Sequence, residues 1–407
     1  MWEQIRSNKW RSVVLTVSMG LVLAGLGYAL GMYFVDSGVA GVLFAIGLWL
    51  IMNLIAFFQG DNILLSISGA RKIGPNDHPR LYNIVEEMQI AAGLKKMPDV
   101  YIIDDPAMNA FAVGRDKNKC AVAVTAGLLT KLNRDELQGV IAHEMAHIKN
   151  RDVLLMAFTS VMLGTIVILS WYASRMMIFG GSGSSRRDSG GGAGQGIIML
   201  IALLLVVLAP LFAQLIYFAI SRKREYLADA SGASFTRYPE GLASALEKIA
   251  SSTEQLKTAN QATAPMFIMN PFRQKGKAAA NLTSTHPPIS DRVRILRSMG
   301  GASFVDYNKA YSEVHSGGSI LPASALAAAP KVPLKRTHRK LAAVPDDATN
   351  ELQRTRETSD VLWKLNNYST VNCTCGTRLR IPPDYKGSTV KCPHCGSEIN
   401  LAGTGAA

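Results

Sequence analysis

Four apolar stretches without a charged side chain most constrain what this chain can fold into. They run through residues 12–35, 38–60, 153–174 and 196–220. Each is long enough to cross a hydrocarbon core, which takes about 20 helical residues. Only 18% of the residues are charged, whereas soluble proteins usually carry about a quarter. The sequence therefore predicts an α-helical membrane protein with four transmembrane helices.

Two other interpretations of these stretches compete with this one. The basic residues Arg6, Lys9 and Arg11 precede the first stretch, as they would in a secretory signal. Its apolar run is too long for a signal, and a second one follows almost at once, so a retained helical hairpin is favoured. The third and fourth stretches could instead be buried core helices, since Pro210 and Gln214 weaken the fourth.

The distribution of basic residues predicts the orientation in the membrane. With the N-terminus inside, the inner flanks hold Arg6, Lys9, Arg11, Arg71, Lys72, Lys149, Arg151, Arg222, Lys223 and Arg224. The outer loops hold fewer, so the N-terminus and the soluble mass are expected in the cytoplasm. The net charge of +13 can lie against anionic lipid headgroups, and nucleic acid is not needed as a partner.

The segment between the second and third stretches has the pattern of a small α+β unit. Apolar residues at helical spacing predict a helix over residues 79–92. Short β-type runs follow at residues 100–103, 110–113 and 121–125. A second helix is expected to begin at Asn133, because Asn133-Arg-Asp-Glu resembles a capping box.

This second helix carries the chemistry. Residues 143–147 read His-Glu-Met-Ala-His, and positions i and i+4 of a helix lie on one face, so both imidazoles can reach one metal ion. A catalytic zinc takes three protein ligands and leaves a fourth position for water. Glu144 would then accept the proton of that water during attack on a peptide carbonyl. The alternative is a helix with two surface histidines.

A third ligand is predicted directly after the fourth apolar stretch. Glu225 and Asp229 are again i and i+4, so Glu225 could bind the metal while Asp229 accepts a hydrogen bond from a ligating imidazole. An antiparallel pair of membrane helices would return Glu225 to the membrane face that holds His147. The alternative for this pair is an exposed helix face.

The C-terminal region predicts a second metal site. Cysteines occur at Cys373, Cys375, Cys392 and Cys395, with a glycine after each pair. Four thiolates suit a closed tetrahedral zinc, so a structural zinc ribbon is expected. Residues 319–368 read as a linker without structure of its own. An unmetallated redox pair and an unknown partner for the ribbon remain open.

Several motifs in the same order resemble the HtpX-type membrane zinc metalloproteases, relatives of the CaaX prenyl proteases. They are the two N-terminal stretches, His-Glu-Met-Ala-His, the two further stretches, Glu225-Tyr-Leu-Ala-Asp229 and a later Ser284-Thr-His-Pro-Pro288. The resemblance covers residues 1–300 and implies a zincin-like (gluzincin) α+β catalytic domain. It also implies zinc-dependent cleavage of misfolded or damaged membrane proteins at the cytoplasmic side of a bacterial inner membrane.

The resemblance also assigns roles to single residues. It implies zinc ligation by His143, His147 and Glu225, with Glu144 as catalytic base and Asp229 behind a ligand. It implies that Asn109, Ala110 and Phe111 lie on the sheet edge that receives substrate, although Asn109 could be only a turn residue. His286 would help to stabilise the oxyanion, or would only start a helix. Arg292 could pair with a site carboxylate or be exposed.

The expected organisation has four parts. These are a transmembrane hairpin (1–60), a metallopeptidase domain with the third and fourth transmembrane helices (61–312), a disordered linker (313–370) and the zinc ribbon (371–400). One catalytic and one structural zinc are expected. Two other functions were considered: a noncatalytic membrane adaptor that uses its ribbon, and a protease for prenylated C-termini.

Overall fold

Helices dominate the fold, around one four-stranded sheet. The computed structural model describes residues 2–116, 118–179, 204, 206–211, 222–257, 267–268, 287–321, 323–327, 329–334 and 347–401. The helices are α1 (Trp2–Phe34), α2 (Gly38–Ile67), α3 (Pro79–Ala92), α4 (Ala126–Lys131), α5 (Arg134–Asn150), α6 (Asp152–Phe179), α7 (222–236), α8 (Pro239–Ser251), α9 (Ile289–Ser298), α10 (Phe304–Val314), α11 (Ala323–Ala327) and α12 (Asp347–Leu365). The strands are β1 (Ala70–Ile73), β2 (Asp99–Ile103), β3 (Ala110–Asp116), β4 (Lys119–Thr125), β5 (Ser369–Asn372), β6 (Arg378–Ile381), β7 (Thr389–Lys391) and β8 (Glu398–Asn400).

The N-terminal hairpin of α1 and α2 has the length and apolarity needed to cross a membrane. The qualifying segments are Thr16–Phe34 and Gly38–Ile67, of which only 33% and 11% is buried inside the protein. Large apolar side chains such as Leu21 and Phe44, each 68% exposed, face outward. A core helix of a soluble protein buries its apolar residues instead, so this surface fits lipid.

The third predicted membrane stretch is helical, as α6. Its residues Leu163 and Ile166 form one buried cluster with Met19 and Leu23 of α1, and Val206 joins the same cluster. Within the described part of α6, the apolar segment Leu163–Tyr172 is shorter than a membrane span. Most of the fourth stretch, and the glycine-rich residues 180–194 before it, lie outside the described residues. Four membrane crossings therefore stay a prediction.

The predicted sheet is present, with one further strand. Its order is β1-β2-β4-β3, in which β2 runs parallel to β4 and the outer pairs are antiparallel. The helix over 79–92 is confirmed as α3 and ends at Gly93 in the left-handed conformation, where glycine has no Cβ penalty. The capping box at Asn133 is confirmed as well. Strand β1 has four residues and was not predicted, and β3 forms the outer strand beside α5.

Helices α5 and α8 cross at a close approach that requires glycine. A Cβ on Gly139 of α5 would lie 2.6 Å from the Leu242 nitrogen and 2.8 Å from its Cα. On the other helix, a Cβ on Gly241 would lie 2.6 Å from the Asp135 carbonyl oxygen. Backbone atoms have little room to yield at such distances. This crossing fixes the helix that carries the His-Glu-Met-Ala-His sequence.

The expected disordered linker is wrong for residues 347–365, which form helix α12. Arg354 donates from Nε to the Thr130 carbonyl oxygen at 2.9 Å, and Val361 joins the main core. The sequence obscured this helix because its buried face includes polar groups such as Arg354 and Thr358. Each of them has a hydrogen-bond partner, which makes their burial tolerable. The domain boundaries themselves stay a prediction.

Gly139→Ala tests the helix crossing. Alanine favours a helix by about 1 kcal/mol over glycine, but the clash with backbone atoms of α8 should exceed that gain and destabilise the protein by about 2 kcal/mol. Thermal unfolding in detergent measures the change. Gly47→Ala in α2 is the control, since a Cβ there meets nothing within 4 Å. Equal stability of the two variants would contradict the described crossing.

The burial of His78 predicts that stability depends on pH. It caps α3, its Nδ1 accepts the Leu81 N–H at 3.2 Å, and it is 1% exposed. Burial, with the nearby Arg80 charge, lowers the pKa of His78 to about 4 from its usual 6.5. Between these values the unfolded chain binds the proton and the folded one does not, so the stability present above pH 6.5 is lost as the pH falls toward 4.

His78→Asn should remove this pH dependence, because asparagine caps a helix without titrating. Between pH 7.5 and pH 5 the wild type should lose about 2 kcal/mol more of its free energy of unfolding than the variant does. Unfolding followed by tryptophan fluorescence at the two pH values gives the comparison. The same acid sensitivity in both proteins would show that His78 is not the titrating group.

Candidate active site

Helix α5 presents three buried polar side chains to one point. His143 is 1% exposed, Glu144 2% and His147 5%. The Nε2 atoms of the two imidazoles lie 3.2 Å apart, which follows from their i, i+4 spacing on one helix. The Nδ1 atom of His143 faces Asp229, and that of His147 faces Asp152. The two histidines can therefore share one ion through Nε2.

Helix α7 adds Glu225 to this point. Its Oε2 lies 3.6 Å from Nε2 of His143, and its Oε1 lies 3.5 Å from Nε2 of His147. One donor atom from each of the three residues lies within 4.8 Å of the others. This is the geometry expected for a two-histidine, one-glutamate zinc site.

Asp229 holds His143 and is itself held by Arg292. Its Oδ1 lies 3.0 Å from Nδ1 of His143. Arg292 of α9 donates to both carboxylate oxygens, from Nε at 2.8 Å and from Nη2 at 2.6 Å. A third arginine nitrogen, Nη1, lies 3.4 Å from Glu225. Of the two interpretations open for Arg292, the structure has the pairing with a site carboxylate, and Arg292 is fully buried.

Asp152 stands behind the second histidine. It is the first residue of α6, and its Oδ2 lies 3.2 Å from Nδ1 of His147. Arg224, which directly precedes Glu225, lies with Nε 3.9 Å from the other oxygen of Asp152. Both residues are almost entirely buried. The sequence analysis did not identify Asp152, because no local pattern distinguishes it from other charged residues that flank an apolar stretch.

The buried charges at this site match a divalent cation. Among the described residues around it, four carboxylates are buried and two guanidinium groups accompany them: Glu144, Asp152, Glu225 and Asp229, with Arg224 and Arg292. With the imidazoles neutral, as metal ligation requires, and all four carboxylates ionised, this leaves two negative charges in excess. Buried charge without compensation is costly, so the donor set and the charge both fit one zinc ion.

The excess of carboxylates also shifts the pKa values. Although burial disfavours the charged imidazole, hydrogen bonds with Asp229 and Glu225 raise the pKa of His143 to about 9. Burial opposes ionisation of Asp229 too, but the charge and hydrogen bonds of Arg292 hold the pKa of Asp229 below its ordinary value. Asp229 is therefore a carboxylate that accepts from its neighbours.

Glu144 lies between the metal-ligand cluster and the outer sheet strand. Burial raises the pKa of Glu144, against the influence of His143 and His147, and the Ala112 backbone forms a hydrogen bond with its carboxylate. Ala112 belongs to β3. A carboxylate with a raised pKa and a fixed orientation is suited to accept and return a proton.

The predicted substrate edge is β3, and part of it is occupied. The Asn109 carbonyl oxygen accepts the N–H of Thr125 in β4. In an antiparallel pair every second residue directs its N–H and C=O groups to the partner strand, so Ala110 and Ala112 direct theirs to the outer edge, away from β4. The Ile268 N–H donates to the Ala110 carbonyl oxygen at 3.1 Å. Phe111 is 1% exposed and packs edge-on against Phe267.

The two remaining predicted site residues, Asn109 and His286, have different outcomes. Asn109 is 4% exposed and its side-chain oxygen accepts from the Ala110 N–H at 3.1 Å. This is the local contact expected of a residue that starts a strand. His286 lies outside the described residues, and its role stays a prediction.

The four C-terminal cysteines come together as predicted. One sulfur atom from each of Cys373, Cys375, Cys392 and Cys395 lies within 4.8 Å of the others. Strands β5–β6 and β7–β8 form two hairpins, and each carries one pair. Gly376 and Gly396 follow the pairs with φ of 84° and 78°, a conformation that favours glycine. Hydrogen bonding with Thr377 lowers the pKa of Cys375 to about 5, which favours a metal-binding thiolate.

Comparisons with known proteins found similar sequences. The model of Peptidase family M48 matches residues 75–300. The chain is 45% identical over 299 residues to the protease HtpX homolog of Dictyoglomus turgidum, covering 74% of this chain and 95% of the relative. It is 40% identical over 299 residues to that of Streptococcus uberis, covering 74% and 100%.

A solved structure is similar at lower identity. The crystal structure of S. mikatae Ste24p has 19% identity and a TM-score of 0.39, and the match covers 73% of this chain and 67% of that chain. The cysteine hairpins lie beyond the residues that the family model matches. The sequence motifs indicated a resemblance to HtpX-type proteases, and the curated relatives confirm it. The chain therefore belongs to Peptidase family M48 and is a metallopeptidase.

Proposed function

We propose that this protein is a membrane-integrated zinc endopeptidase that cleaves misfolded or damaged membrane proteins. The observation that carries the proposal is the convergence of His143, His147 and Glu225 beside the buried carboxylate of Glu144. A noncatalytic adaptor has no need for a buried base next to an open metal site. The N-terminal hairpin would anchor the site at the bilayer.

The residues of the site would divide the work of peptide hydrolysis. His143, His147 and Glu225 would hold the zinc ion, which polarises a water molecule and the scissile carbonyl when it is bound. Glu144 would take the proton of the attacking water and pass it to the leaving amine. Asp229 and Arg292 would fix His143 so that Nε2 faces the metal.

The substrate would bind as an extended strand along β3. An unpaired strand edge offers main-chain groups to a peptide of almost any sequence, which suits an enzyme for damaged proteins. Ala110 and Ala112 direct their main-chain groups to this edge, next to Glu144. Because Ile268 donates to Ala110, substrate would have to replace that hydrogen bond. Asn109 and Phe111 would contribute by shaping this strand edge.

The position of the site in the cell is part of the proposal. The basic flanks of the apolar stretches favour a cytoplasmic N-terminus and a cytoplasmic active site in the inner membrane of a bacterium. The first residue of α6, Asp152, contacts a proposed zinc ligand. Zinc would then lie near the bilayer surface, where an unfolding membrane protein exposes its chain.

Glu144→Gln tests the catalytic role. The amide cannot accept a proton at neutral pH, so cleavage of a detergent-solubilised membrane protein should fall by at least about 100-fold while zinc content stays near wild type. Gel densitometry and metal analysis give the two readouts. Glu86→Gln on α3 is an exposed control and should cleave normally. Full activity of Glu144→Gln would exclude this mechanism.

Zinc stoichiometry separates the two proposed metal sites. Purified wild type should contain two zinc ions per chain, because the His–His–Glu set and the four cysteines each form a donor cluster. Glu225→Ala should lose the first zinc, and replacement of the four cysteines by serine should lose the second. Inductively coupled plasma mass spectrometry measures both. One zinc per chain in the wild type, or loss of both by either variant, would contradict two independent sites.

A further inference from the structure

A carboxylate that no sequence motif indicated lies behind the second histidine. Asp152 Oδ2 is 3.2 Å from Nδ1 of His147, and Asp152 is 1% exposed. The Nε2 atom of the same ring faces Glu225 and His143. The ring therefore has one nitrogen directed to the proposed metal and the other directed to Asp152.

We propose that Asp152 is a positioning residue of the metal site, which acts through His147, and that Arg224 holds Asp152 in place. The inference rests on the proposed ligation of zinc by His143, His147 and Glu225. A hydrogen bond from Nδ1 to a carboxylate fixes the tautomer that leaves Nε2 free to bind metal. It also fixes the orientation of the ring and raises its basicity.

The arrangement around His147 repeats the one around His143. Each histidine has a buried carboxylate at Nδ1, namely Asp229 for His143 and Asp152 for His147. Each carboxylate has a buried arginine beside it, at 2.6 Å for Arg292 and at 3.9 Å for Arg224. The two sets of contacts differ in strength, because Arg292 donates to both carboxylate oxygens of Asp229, whereas the ion pair of Arg224 with Asp152 is longer. Loss of Arg224 should therefore have the smaller effect.

The contacts of Asp152 with His147 and Arg224 join the two helices that would lead into and out of the membrane, α6 and α7. Arg151 lies between α5 and α6 and has a φ of 62°. The backbone therefore turns at Arg151, and α6 begins at Asp152. Arg224 lies in the first described turn of α7, next to Glu225. A shift in the first turn of α6 would therefore move the carboxylate that orients His147. Asp152 thus couples the metal site to the helix that continues from it.

Metal affinity tests this inference with Co²⁺ as the probe in the full-length, metal-free protein in detergent. Cobalt at four thiolates gives a strong sulfur-to-metal absorption in the near ultraviolet, which histidine and glutamate ligands do not give. The near-ultraviolet absorption therefore reports the ribbon as an internal control. Because cobalt at four thiolates also absorbs in the visible, the visible bands of the His–His–Glu site are followed in the protein whose four ribbon cysteines are replaced by serine. Asp152→Ala should weaken cobalt binding at the His–His–Glu site by roughly 10- to 100-fold and leave the ribbon unchanged.

Matched variants separate positioning from general destabilisation. Asp152→Asn keeps an oxygen acceptor for Nδ1 and should recover part of the affinity, and Arg224→Gln should lose less than Asp152→Ala. Asp104→Ala and Lys223→Gln, both at exposed positions, should bind cobalt as the wild type does. In the protein whose ribbon cysteines are replaced by serine, His143→Ala must abolish the visible bands; if it does not, the proposed metal site is wrong.

Three results would overturn the role of Asp152 while leaving the proposed site intact. The first is a wild-type cobalt affinity in Asp152→Ala when His143→Ala has lost its bands. The second is an equal loss of affinity at the ribbon and at the His–His–Glu site, and the third is an Asp152→Asn variant as weak as Asp152→Ala. Each of these outcomes would show that Asp152 does not position His147 for the metal.

Discussion

The burial of opposite charges around one point is the constraint on which the rest of this structure depends. A carboxylate or guanidinium group that leaves water costs several kcal/mol, and only close partners offset that cost. Arg292 has no exposed surface and contacts both Asp229 and Glu225. Its helix α9 must therefore pack against α7, and α7 against α5, before any of these groups can be buried. The two negative charges that remain fit a divalent ion.

The fold delivers the site from elements that are far apart in the sequence. Helix α5 supplies the base and two histidines, α7 supplies Glu225 and Asp229, and the start of α6 supplies Asp152. The close crossing at Gly139 holds α5 against α8. Strand β3 completes the arrangement, because the Ala112 backbone reaches Glu144 and the outer edge of the sheet runs beside it. Binding edge and base are thus parts of one packed unit.

Local patterns allowed the sequence to predict the parts of the site that lie on one helix. His143 and His147 are one turn apart, and the capping box at Asn133 marks where their helix begins. Glu225 could be placed only by assuming that two apolar stretches form an antiparallel pair. The ribbon was predictable because cysteine pairs followed by glycine need few other residues to form a site.

The partners of these residues were harder to predict because their roles depend on tertiary contacts. Asp152 and Arg224 read as charges at the ends of apolar stretches, and nothing local distinguishes a flank from a buried pair. Helix α12 was missed because it buries Arg354 and Thr358 in place of apolar side chains. Strand β1 is too short to produce a pattern of its own. In each case, a contact with a segment distant in the sequence contributes to the structure: Asp152 with Arg224, Arg354 with Thr130, and β1 with β2.

The most direct test of the central claim is anomalous X-ray diffraction at the zinc absorption edge from crystals of the full-length protein. The account predicts a zinc peak between Nε2 of His143, Nε2 of His147 and the carboxylate of Glu225, at about 2.0–2.2 Å from each. A second peak should lie among the four cysteines. A peak at the cysteines alone, from protein purified with sufficient zinc, would contradict the proposal that the three buried residues form a catalytic zinc site.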